Sequence, residues 1–94
     1  MVSMLKKEMV VNNRCGIHAR VGLLLSQKAK EFTSEISLRK GKVVADCRSV
    51  LELLSLGAGI GDAVLVEING IDAEAALNAI QELFDARFYE DDVA

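Results

Sequence analysis

The sequence predicts an α+β fold, a four-stranded antiparallel sheet covered on one face by three helices, and three observations carry that prediction. Segments with alternating apolar residues and segments with apolar residues at helical spacing follow one another in the order β-α-β-β-α-β-α. The connections are short and one is a tight hairpin, which favours antiparallel pairing. The chain has 94 residues, 51% of them hydrophobic, enough for one two-layer core and no more, so the helices must share a single apolar sheet face. The expected architecture is thus a two-layer open-faced sandwich forming one domain over 1–94, with 85–94 as a flexible acidic tail.

Residues 5–11 read as the first strand, with Leu5, Met9 and Val11 on one face and Lys6 and Glu8 on the other; Asn12 and Asn13, both turn formers, end it. From Ala19 to Phe32, Val21, Leu24, Leu25, Ala29 and Phe32 recur at helical spacing. In "SEISLRKGKVVA", Ile36 and Leu38 alternate with polar residues, Lys40-Gly41 turns the chain, and Val43-Val44 returns as the second arm of a hairpin. Ser49, with Glu52 three places on, matches a capping box, and Gly57 is a natural left-handed stop for the helix between them. "AVLVEI", 63–68, is a β-branched strand closed by an Asn69-Gly70 turn. Asp72 then caps a helix whose Ala76, Leu77, Ile80, Leu83 and Phe84 form an apolar stripe. In the acidic tail beyond it, Phe88 and Tyr89 have the side chains to dock.

Composition excludes several functions. The net charge is −3 and no basic stripe with interleaved aromatics appears, so a nucleic-acid partner is not expected. No apolar run exceeds four residues, far below the roughly 20 that span a membrane. "MVSMLKKEMVV" lacks the apolar core of a signal peptide, and two cysteines are too few for a secreted disulfide framework. The expected location is the cytoplasm.

The informative segment is "CGIHARVGLLL", residues 15–25, which contains the only histidine. A helix start exposes unpaired backbone N–H groups and carries partial positive charge, so it stabilises an anion. A neutral imidazole at that point is a nucleophile able to accept a phosphoryl group. Phosphate on His18 would lie against the amides of Ala19 and Arg20, and the Arg20 guanidinium would meet its oxygens in a forked geometry. Gly16 permits the sharp backbone turn that keeps the ring accessible. A histidine beside a helix start is also commonly a plain cap or surface residue, and the residues alone leave both readings open.

"GIHARVGLLL" resembles the active-site segment of the histidine-containing phosphocarrier (HPr) family of the phosphoenolpyruvate-dependent sugar phosphotransferase system. "RSVLELLSLG" is similar to that family's second landmark, a serine-led helix ending in Ser-Leu-Gly. The resemblance covers nearly the whole chain, with both motifs at the family's spacing. It implies the same open-faced sandwich, phosphorylation of His18 on Nδ1 by enzyme I, transfer to enzyme IIA domains, assistance by Arg20, and modification of Ser49 by an ATP-dependent HPr kinase/phosphorylase. It implies no cofactor, and the chain is expected to act as a monomer and as a carrier rather than a self-contained catalyst. One departure stands out: the family usually has proline after the arginine, where this chain has Val21-Gly22. Glycine inside a helix costs roughly 1 kcal/mol against alanine, so a looser first turn is expected.

Val50, Leu51, Leu53, Leu54 and Leu56 wrap most of the way round a two-turn helix. The surplus, including Leu51 and Leu54, is expected at the surface as a docking patch, with Val50 beside it; the pattern alone is equally compatible with a more deeply buried helix. Resemblance favours docking, because HPr partners bind this helix. Ser49 is a cap worth on the order of 1 kcal/mol, and a phosphate there would gain from the helix dipole while placing charge amid the apolar patch.

Other readings are weaker. Cys15, His18 and Cys47 supply three soft ligands where a structural zinc takes four, so no metal is expected, and a Cys15–Cys47 disulfide would not persist in a reducing compartment. "GAGIGD" lacks the Lys-Ser/Thr of a phosphate loop, and no serine-histidine-aspartate triad is suggested. The rival from a different class is a regulatory binding module, its carrier activity reduced at Val21-Gly22 and its Ser49 helix bound to another protein.

Overall fold

The computed structural model describes residues 2–90. Strands β1 (Ser3–Val10), β2 (Glu35–Lys40), β3 (Val43–Asp46) and β4 (Ala63–Gly70) form one sheet in the order β1-β4-β2-β3, and every neighbouring pair is antiparallel. Helices α1 (Ala19–Ala29), α2 (Val50–Ser55) and α3 (Ala73–Asp85) cover one face, and a short left-handed turn, Arg87–Tyr89, follows. The open-faced sandwich anticipated from the patterning is the architecture found.

Alternation along the strands decides which sheet face is covered. Met9, Ile36, Leu38, Val64, Val66 and Ile68 turn toward the helices and are buried, meeting Val21, Leu25 and Ala29 of α1, Leu53 of α2, and Ala76, Ile80, Leu83 and Phe84 of α3 in one core. The other face carries the cross-strand ion pairs of Glu67 with Lys6 (3.7 Å) and Arg39 (3.3 Å).

Several local expectations change. Asn69 and Gly70 do not turn the chain: they extend β4 opposite Met4 and Ser3. A side chain at Gly70 would meet the Ser34 backbone, 2.6 Å from its Cα, so the glycine is there for close approach. The β2–β3 turn falls one residue later than read, with Lys40 paired to Val43. Asp72 stands at the start of α3 without capping it. Its carboxylate instead accepts hydrogen bonds from the N–H groups of Thr33 and Ser34 (both 2.9 Å) and from the Ser34 hydroxyl, which lower its pKa to about 2, the Ser34 hydroxyl contributing most.

The tail needs the largest correction. Residues 86–90 are folded back on the domain: Phe88 is fully buried and meets Phe84 edge-on with ring centroids 4.8 Å apart, while Tyr89 stays exposed. An aromatic ring that removes its area from water offsets the ordering of a short segment. The rest of the expected acidic tail, 91–94, lies outside the described residues.

Candidate functional site

The loop from Val11 to His18 is held by backbone bonds to the loop before β4. The Val11 N–H donates to the Asp62 carbonyl (2.8 Å), the Gly61 N–H to the Val11 carbonyl (2.7 Å) and the Ile17 N–H to the Ala58 carbonyl (2.9 Å). Gly16 has φ +68°, and a Cβ on it would lie 2.5 Å from the Ala58 oxygen. The turn thus requires glycine both for its dihedral and for its fit.

His18 is the N-cap of α1, with extended backbone and no side-chain bond into the helix. Its carbonyl accepts the Gly22 N–H at 2.8 Å, which closes the first turn. The amides of Ala19, Arg20 and Val21 precede that bond and have no carbonyl four residues back within the helix, leaving donors and partial positive charge around the ring. The imidazole is about a third exposed, its side chain retaining 36% of its accessible surface.

Val21-Gly22 does not loosen this turn. Val21 is fully buried, and a Cβ on Gly22 would sit 3.2 Å from Cγ1 of Val50. The glycine lets α1 approach α2 one turn beyond the histidine, an advantage in packing that offsets its poor helix propensity.

Sequence reasoning missed two members of the site. Glu90 reaches back from the C-terminal turn, its Oε2 3.3 Å from Nε2 of His18 and 3.9 Å from Nη2 of Arg20. Its carboxylate also accepts from Nδ2 of Asn13 (3.0 Å) and from the Cys15 N–H (3.0 Å). These bonds, Asn13 foremost, lower the Glu90 pKa to about 2. Asn13, read from the sequence only as a turn former, is fully buried and also donates to the Gly16 carbonyl (2.8 Å). No periodicity connects residue 90 to residue 18, so the pattern held no signal for it beyond the aromatic Phe88 two places earlier.

Arg20 lies on the first turn of α1, and its Nη1 donates to the Phe88 carbonyl at 2.9 Å. Its guanidinium therefore stands between the helix start and the C-terminal turn. An ionised carboxylate only accepts, so Nε2 of a neutral His18 donates to Glu90 and the ring's lone pair is left on Nδ1. Chemically, the site sets an imidazole at a helix start with an arginine on the helix's first turn.

Ser49 caps α2, its Oγ accepting the Glu52 N–H at 3.2 Å. The other half of the capping box is displaced, since the Glu52 carboxylate takes the Asp46 N–H (2.9 Å). Of the apolar residues on this helix, Leu53 and Leu56 are buried, Val50 is half-buried against α1, and Leu51 and Leu54 are 81% and 37% exposed. Cys47 is remote in character from Cys15: it is buried, its Sγ faces the Leu25 carbonyl (3.7 Å), and burial pushes its thiol up to about 12. The cysteine-histidine cluster weighed from the sequence forms with Glu90 in the place of Cys47.

The chain is similar to known proteins. The family described as PTS HPr component phosphorylation site matches residues 5–86. The chain is 41% identical to phosphocarrier protein NPr of Shewanella violacea over 86 residues, 92% of this chain and 94% of that one. It is 35% identical to phosphocarrier protein HPr of Treponema pallidum over 88 residues, 94% of this chain and all of that one. The crystal structure of HPr-C-His from Thermoanaerobacter tengcongensis superposes with a TM-score of 0.88 at 30% identity, covering 93% of this chain and 98% of that one. With the matched segment containing both His18 and Ser49 and the same sandwich throughout, the chain belongs to the HPr family of phosphocarrier proteins of the phosphotransferase system.

Proposed function

We propose that this protein carries a phosphoryl group on Nδ1 of His18, accepting it from phosphorylated enzyme I and passing it to an enzyme IIA domain in the cytoplasm. The observation that carries the reading is the Nε2–Glu90 bond at 3.3 Å on a ring at the helix start. It leaves the nucleophilic nitrogen free on the residue that caps α1, whose first amides are those of Ala19 and Arg20. In the transfer, Nδ1 bonds to phosphorus as phosphorus's bond to the donor breaks, and the Arg20 guanidinium meets the charge on the phosphoryl oxygens. Family membership supports a donor and an acceptor of the enzyme I and IIA kinds, and the likeness to a protein named NPr supports a variant carrier with its own partner set.

The second half of the reading is that Val50, Leu51 and Leu54 dock those partners and that phosphorylation of Ser49 by a kinase of the HPr kinase/phosphorylase type weakens the docking by local charge. Exposure of Leu51 and Leu54 beside the cap supports it. The closed first turn of α1 counts against the rival reading of a binding module with a decayed carrier site. Incubation with phosphoenolpyruvate and enzyme I tests the proposal. Acid-labile, base-stable label lost in His18→Ala is the result expected, and no label with any enzyme I of the same organism, each shown to be active, would overturn it.

A further inference from the structure

We propose that Cys15, His18 and Glu90 bind a thiophilic divalent cation, Zn2+ foremost, and that the bound ion takes His18 out of service as a phosphoryl acceptor. The second clause rests on the carrier function proposed above; the first does not.

One ligand atom from each residue, the Cys15 sulfur, an imidazole nitrogen and a Glu90 oxygen, lies within 4.8 Å of the other two. Zinc bonds of about 2.0–2.3 Å in a tetrahedron need ligand atoms about 3.3–3.8 Å apart. Closing the cluster therefore takes about an ångström of movement, and the Cys15 side chain is exposed. Thiolate, imidazole and carboxylate together favour zinc over magnesium or calcium, which select oxygen. Three protein ligands leave a fourth position to water, the pattern of an exchangeable site rather than a structural one.

The surroundings support the ligands. The bonds that Glu90 accepts from Asn13 and the Cys15 N–H fix its orientation, as outer partners do at metal sites. Thiolate and carboxylate offset the charge of a dication, and Arg20, whose Nη2 lies 3.9 Å from the Glu90 oxygen, also donates to the Phe88 carbonyl. The backbone brings the third ligand in. Arg87, Phe88 and Tyr89 have φ of 55°, 54° and 56°, three consecutive left-handed residues without a glycine. Such a run is unfavourable for L-residues and persists where its surroundings over-determine it. Here its result is to deliver Glu90 to Cys15 and His18.

Binding releases the Cys15 thiol proton to solvent and leaves the imidazole neutral with one ring proton. An ion on Nδ1 occupies the nucleophilic nitrogen directly. An ion on Nε2 forces the ring proton onto Nδ1, removing the lone pair there. Either way transfer stops, whereas the ion-free bond from Nε2 to Glu90 keeps Nδ1 available.

Titration of the full chain with Co2+ tests the site without reference to activity. The expected result is one equivalent bound, with thiolate-to-cobalt charge-transfer absorption that Zn2+ abolishes and Mg2+ does not. Cys15→Ser removes that absorption, His18→Ala and Glu90→Ala each weaken binding at least about tenfold, and Cys47→Ser changes nothing. Absence of the absorption, or its survival in Cys15→Ser, overturns the site. Stoichiometric Zn2+ is then expected to slow phosphorylation by enzyme I in the wild type and to spare Cys15→Ser in the same mixture. Equal rates with and without bound zinc overturn the switch. A chain that binds cobalt through Cys15 but takes no phosphate under any condition contradicts the carrier reading and leaves the site standing.

Discussion

Nε2 of His18 lies 3.3 Å from Oε2 of Glu90, a carboxylate 72 positions away in the chain. Since the carboxylate stays ionised far below neutral pH, this contact sets which ring nitrogen is protonated. Glu90→Ala should lower the rate of phosphorylation of His18 about two- to tenfold, the range one hydrogen bond supplies. Nitrogen chemical shifts of the ring should move toward a mixture of tautomers. An unchanged rate and spectrum would show that Glu90 does not orient the ring.

The turn that delivers Glu90 is set by opposing energies. Tyr89 is exposed and left-handed, φ 56°, so Tyr89→Gly should raise stability by about 1 kcal/mol, or about 4–8 °C in a domain of this size. Phe88→Ala removes a fully buried ring and should cost about 3–5 kcal/mol. Thermal unfolding followed by circular dichroism checks both.

Acid should destabilise the fold through two carboxyls. Glu90 and Asp72 have ordinary values of 4.5 and 3.8 and sit at about 2 in the folded protein. Each binds a proton more readily when unfolded, so its contribution is complete above its ordinary value and disappears as the pH falls through about 2. Chemical denaturation across pH 6 to 2 should show stability declining below about pH 4.5. Glu90→Gln and Asp72→Asn should each flatten that decline.

Ser49 separates a structural role from a regulatory one. Ser49→Ala loses the cap to the Glu52 N–H and should cost about 1 kcal/mol. Ser49→Asp retains a capping oxygen and should keep most of that stability. It should nevertheless weaken binding to enzyme I, measured by calorimetry, because it places charge beside Leu51 and Leu54. Equal affinity of the Asp variant and the wild type would argue against regulation at this position.

The strands, helices and their order are legible because burial on one face imposes a period on the sequence: Ile36 and Leu38 alternate, and Val21, Leu25 and Ala29 recur every four residues. The helix starts at His18 and Ser49 are legible because such starts have local signatures. What the sequence could not show was non-local. Asn69-Gly70 has the chemistry of a turn, yet pairing with β1 draws it into a strand. Gly22 reads as a weak point until Val50 is placed against it. Asp72 reads as a cap until Thr33 and Ser34 bring their amides to it. Glu90 reads as part of a solvated acidic tail, because nothing local reveals that Phe88 will be buried and turn the chain back toward Asn13, Cys15 and His18.

The central claim is that Nδ1 of His18 takes the phosphoryl group. The most direct measurement is a nitrogen-correlated NMR spectrum of the labelled chain after phosphorylation by enzyme I and phosphoenolpyruvate. The account predicts that the Nδ1 resonance alone takes on coupling to phosphorus, with Nε2 still protonated. Phosphorus on Nε2, on Ser49, or nowhere in the chain would contradict it.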